Sequence, residues 1–114
     1  TVSLAEMQKA KVLAQEERLA AKLSHAKPDL RQPLEGRLSN AKERLVACLS
    51  AMEQCRQKYK DVKAQYKKDP RSFAQIKVEW SLKVAEEKRV LRDAWRQWRE
   101  VQKQIQMNLS QPIV

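Results

Sequence analysis

The chain has 114 residues, with 24 Lys and Arg against 14 Asp and Glu, so it carries a formal charge of +10. One glycine and four prolines are too few for a β protein, which needs turn residues every few positions, and a single glycine excludes a glycine-rich phosphate loop. One third of the residues are charged and 5% are aromatic, the composition of long solvent-facing helices rather than of a thick core.

In chain order, Ser3 followed three residues later by Glu6 is a capping-box pattern and predicts that helix one begins near residue 3. Ala5, Val12, Leu19, Leu23 and Ala26 share one of its faces. Pro28 disfavours a helical conformation at Lys27, so this helix is expected to end near residue 26, with Lys27 to Gln32 as connector.

Helix two is predicted over residues 33–68, with Pro33 in its first turn and Gly36 weakening that turn. Leu38, Ala41, Leu45, Cys48, Met52, Cys55, Tyr59, Val62 and Tyr66 recur at alternating spacings of three and four, an uninterrupted seam. A stripe of this length cannot face water and must lie against another helix. Cys48 and Cys55 are about 10 Å apart along one helix axis, too far for a disulfide, whose Cα atoms must approach within about 7 Å. They read as small buried hydrophobes in a reducing compartment, cytoplasmic or nuclear, with an intermolecular disulfide between matched seams as the functional alternative.

Asp69-Pro70 reads as N-cap and first helical residue, so helix three is predicted over 70–108. Its seam runs through Phe73, Trp80, Val84, Leu91, Ala94, Trp98, Val101 and Ile105, with Lys77 and Glu87 in two of the slots. Trp80 and Trp98 are expected in the core, against small residues such as Ala41, Ala47 and Ala51. Residues 74–84 also alternate apolar with polar, a strand pattern. Helix is preferred because no second strand is evident and a lone strand is unstable; a helix apolar over most of its girth is the other reading. The tail Pro112-Ile113-Val114 reads as frayed, a poor match to a carboxylate-reading groove. These elements predict one all-α domain over 1–114, an elongated antiparallel helical hairpin or three-helix bundle with coiled-coil-like packing. The opening Thr1 makes an excerpt of a longer protein the expectation.

Chemistry finds little support. His25, the only histidine, neighbours Ser24 near a helix end, where sequence neighbours point apart. Cys48 and Cys55 lack further ligands for a metal, and pairs such as Glu16-Glu17 and Glu86-Glu87 sit among Lys and Arg as solubilising surface does. No enzyme activity, cofactor, metal or small-molecule substrate is expected. The longest apolar run, Leu45 to Leu49, falls far short of the roughly 18 residues of a membrane span.

Charge is the stronger clue. Arg56, Lys60, Lys63 and Lys67 form one stripe beside the seam of helix two. Arg89, Arg92, Arg96, Arg99 and Lys103 form another on helix three, each two residues before a seam position and so turned about 160° from the core. Trp95 flanks that seam beside the arginines, placed to anchor an interface or stack on an unpaired base. These ten residues are the candidate site for a protein partner or a polyanion. The pattern points to a non-enzymatic helical interaction or assembly module that docks a protein or self-associates as a homo-oligomer. A nucleic-acid-binding accessory protein using the basic stripes is the alternative.

Overall fold

The computed structural model describes residues 3–109. It contains α1 (Leu4–Leu23), α2 (Pro28–Ala64), a single 3-10 turn (Tyr66–Lys68) and α3 (Phe73–Leu109), with no strand among the described residues. The all-α expectation holds, and residues 74–84 are helical throughout. The tail at 112–114 lies outside the described residues.

The sequence places the helix ends a few residues away from where they form. Pro28 does not only stop the first helix; it starts the second. Its restriction on Lys27 (φ −62°, ψ 143°) is the extended conformation an N-cap residue adopts, so α2 begins at Pro28 instead of Pro33. Pro33 then sits inside the helix and removes one early backbone bond. α1 ends at Leu23 rather than Ala26, and the connector shrinks to residues 24–27. Ala26 therefore belongs to no helix face. At the other turn, α2 stops at Ala64 and Lys67 lies on the 3-10 turn. Ser72 caps α3: its Oγ accepts from Gln75 N at 3.2 Å, while Ser72 N donates to Gln75 Oε1 at 3.1 Å. That reciprocal box outcompetes Asp69-Pro70 as the helix start. Asp69 instead accepts from Arg71 N at 2.9 Å and closes the corner.

α2 and α3 run antiparallel. Arg37 donates to Gln104, Arg44 to Gln97, and the Tyr59 and Trp80 rings lie 6.3 Å apart, so rising numbers on one helix meet falling numbers on the other. Along this seam Leu38, Ala41, Leu45, Leu49, Ala94, Trp98, Val101 and Ile105 are buried. Later capping shifts the start of the α3 seam: Ile76 is fully buried, whereas Phe73 and Lys77 are exposed. Tyr66, expected on the α2 seam, is exposed as well. Ala41 is buried beneath the partner helix, but Ala47 faces solvent and fills no gap.

α1 folds back antiparallel to α2 and covers only part of the hairpin. Glu16 pairs with Lys42 at 3.3 Å and Lys9 lies 4.0 Å from Glu53, while Trp98 Nε1 donates to Gln15 Oε1 at 3.0 Å. Val12, Leu19 and Leu23 insert into the same core as Trp98. The molecule is thus three helices thick at one end and two at the other, measuring 69 × 26 × 16 Å. Its radius of gyration, 19.3 Å, exceeds the roughly 13 Å of a compact domain of this length.

Two stability outcomes follow from this packing. A Cβ at Gly36 would meet nothing within 4 Å, so Gly36→Ala is expected to raise stability by about 0.5–1 kcal/mol in urea unfolding. Leu45→Ala at the three-helix end is expected to cost about 2–5 kcal/mol, whereas Leu82→Ser, at a site 68% exposed, should stay within about 0.5 kcal/mol.

Candidate interaction surface

Beyond the N-terminus of α1 the hairpin stands alone, and its burial falls. Cys55, Tyr59 and Val62 continue the α2 seam, and Val84 the α3 seam, but all four are half-buried. Trp80 remains 9% exposed, with the Lys83 Nζ 4.2 Å from its ring centroid. Its Nε1–H is buried and meets no acceptor among the described residues, an arrangement that costs about 1–3 kcal/mol. On the outward face of α3, Val78 is 62% exposed and Leu82 68%. A cavity of about 510 Å³ opens beside Leu82 and Trp80, bounded on α2 by Ala51, Cys55 and Lys58.

The strand-like alternation of residues 74–84 has its explanation here. Ile76 and Trp80 face α2, while Val78 and Leu82 point outward, so the helix is apolar on two sides. Sequence reasoning flagged the girth of this helix but did not include Val78 and Leu82 among the site residues. The signal was the surplus of apolar positions beyond what one seam requires.

The ten residues singled out from sequence separate into two groups. Arg89, Arg92, Arg96, Arg99 and Lys103 are all exposed on the outward face of α3, with Trp95 half-buried beside them and packed against the core. Arg89 is held by Glu86 (2.6 Å) and Arg96 by Asp93 (2.8 Å); Arg92, Arg99 and Lys103 make no ion pair among the described residues. The hydrogen bonds from Arg89 draw the Glu86 carboxyl below its ordinary range.

Arg56, Lys60 and Lys63 are exposed on α2, where Lys63 Nζ lies 5.9 Å from the Phe73 ring centroid. Lys67 leaves the helical stripe because α2 ends before it. The two groups do not lie side by side. The α2 stripe is level with the start of α3, near Phe73 and Trp80, whereas the α3 ladder is level with α2 between Arg37 and Ala51. Neighbouring helices therefore carry staggered arrays rather than one double track.

Elsewhere the geometry is that of structure. Ser24 Oγ donates to Ala21 O at 2.6 Å and His25 lies in the α1–α2 turn, so the hydroxyl serves the helix end. Both cysteines are free, and burial pushes the Cys48 thiol up, away from the reactive thiolate. Among the described residues no group of three or more His, Cys, Asp and Glu side chains comes together, and no helix is long and apolar enough to cross a membrane. Compared with family models, curated proteins and solved structures, the chain has no match in any of the three.

The hairpin corner beside this surface is electrostatically tied. Arg71 donates through Nε and Nη2 to Asp69 (3.0 and 2.8 Å) and through Nη1 to Glu79. The side-chain hydrogen bond from Arg71, reinforced by its backbone N–H, lowers the Asp69 carboxyl from 3.8 to about 2. A depressed folded-state value means that the clasp stabilises the fold above the ordinary aspartate range and is lost as pH falls through about 2. In an NMR titration the Asp69 carboxyl carbon is expected to show its midpoint near 2; a midpoint near 3.8 would mean the clasp is absent in solution.

Proposed function

We propose that this chain is a non-enzymatic helical interaction module that docks a protein partner through the uncovered half of its α2–α3 hairpin. The observation that carries the reading is the contrast between the two ends. One end is closed by α1 over a buried core; the other leaves Val78 and Leu82 in water above a two-helix seam. Exposed large side chains grouped beside half-buried aromatics are the usual composition of an interface centre. The overall charge of +10 favours a partner of opposite charge over a second copy of the same chain. Two free cysteines within the seam support a reducing compartment, cytoplasmic or nuclear.

A second reading rests on the arginine ladder. Arg92, Arg99 and Lys103, without carboxylate partners, follow one line on α3, and their forks suit phosphate oxygens. Against it stands the stagger of the two basic stripes, which leaves a nucleic-acid backbone one narrow track.

Pull-down from cells that make this protein separates the readings. The retained protein is expected to be lost with Val78→Asp plus Leu82→Asp, at unchanged helicity by circular dichroism, and kept with Arg92→Glu plus Arg99→Glu. The opposite pattern, with retention that nuclease abolishes, would transfer the function to nucleic acid.

A further inference from the structure

The arginine ladder of α3 has no level neighbour on α2, but it has one on α1. Trp98 holds Gln15, and Leu91 shares a cavity of about 350 Å³ with Leu4 and Gln8, so α1 and α3 run parallel and side by side. Leu4, Gln8 and Gln15 belong to one stripe of α1, which Lys11, Arg18 and Lys22 complete at alternating spacings of four and three. The facing stripe of α3 is Lys88, Leu91, Trp95, Trp98 and Gln102. Arg92 and Arg99 follow Leu91 and Trp98 by one residue, on the solvent side. The Trp98–Gln15 bond sets the level, with Lys11 near Trp95 and Arg18 near Gln102.

These two stripes form basic rails with no acid on either. Lys11, Arg18 and Lys22 on α1, and Lys88, Arg92 and Arg99 on α3, are exposed and make no ion pair among the described residues. The carboxylates of α1 turn elsewhere: Glu6 pairs with Lys9, Glu16 with Lys42, and Glu17 is turned about 160° from Gln15. On α3, Asp93 and Glu100 lie across the ladder, where they line a cavity with Arg44 of α2, and Arg96 holds Asp93. Trp95 is half-buried between the rails, and a cavity of about 330 Å³ opens against it, lined by Ala85, Lys88, Leu91 and Arg92. We propose that this α1–α3 face binds single-stranded nucleic acid, with phosphates on the two rails and an unpaired base against Trp95. Each rail rises about 16 Å, the length of about five stacked nucleotides. A bilayer or an amphipathic helix fits less well. Past Leu4 and Met7, at the start of the α1 stripe, the exposed positions flanking it are Ala14 and Ala21, which offer neither of them a large aliphatic side chain. The inference goes beyond protein docking at Val78 and Leu82, which lie toward the hairpin corner.

The test uses the full chain and a labelled oligothymidylate of about 12 nucleotides, followed by fluorescence anisotropy. Affinity should fall at least about tenfold between about 50 and 200 mM salt, as several phosphates exchange their counterions for the rails. Lys11→Glu plus Arg18→Glu should weaken binding at least about tenfold. Lys67→Glu plus Lys68→Glu makes the same charge change about 30 Å away at the corner and should leave affinity within about threefold. Trp95→Leu should cost at least about fivefold and Trp95→Phe much less, at unchanged helicity by circular dichroism. No binding at the lower salt, equal loss from the corner reversals, or equal affinity or equal loss in Trp95→Leu and Trp95→Phe overturns the assignment. Tighter binding to a duplex of the same length overturns it too, as does displacement by polyglutamate as readily as by unlabelled oligothymidylate. The two readings fail independently, because a docked protein tracks Val78 and Leu82 whereas the oligonucleotide tracks Lys11, Arg18 and Trp95.

Discussion

Two 37-residue helices, each with an apolar stripe too long to leave in water, can satisfy each other only by lying antiparallel along their length. Everything else in the molecule is arranged around that pairing. Leu38, Ala41 and Leu45 on one side and Ala94, Trp98 and Val101 on the other set the separation of the axes, and Trp98 reaches far enough to engage Gln15 on α1. The tryptophan is therefore a hinge between two levels of organisation. Its ring fills the hairpin, and its Nε1–H holds the third helix.

The position of α1 follows from a matching of charges as well as from Val12, Leu19 and Leu23. Glu16 and Lys9 meet opposite charges on α2, and a slide of one turn would break both pairs. Such exposed pairs add little stability individually, so their main effect is on register. Because α1 has 20 residues against 37 in α2 and only residues 24–27 join them, the short connector decides which end of the hairpin is clothed and which is bare.

Much of this was legible in the sequence, for identifiable reasons. The α2 seam could be read because nine positions repeat without a miss, and the α3 arginine ladder because each member keeps a constant offset from an apolar residue. The helix boundaries were harder. Pro28 and Pro33 are both admissible at a first helical position, and only the extended Lys27 backbone settles between them. Asp69-Pro70 and Ser72-Gln75 are both start signals; the second prevails because two backbone groups are satisfied together. The stagger of the basic stripes depends on pairing level between helices, which no single-helix pattern contains. Val78 and Leu82 stood in plain view as alternation, yet which of the two apolar sides of this helix meets α2 depends on how the helices pair.

The uneven thickness of the molecule also makes its motions uneven. Where α1 is in place, opening a backbone hydrogen bond disturbs three packed helices; toward the corner it disturbs two, with the Arg71 clasp as the chief restraint. Local opening therefore costs less free energy at the corner end, and amide protons there exchange sooner. A partner bound over the corner would slow that exchange selectively, so occupancy would be written into the hairpin as a gain of order at one end.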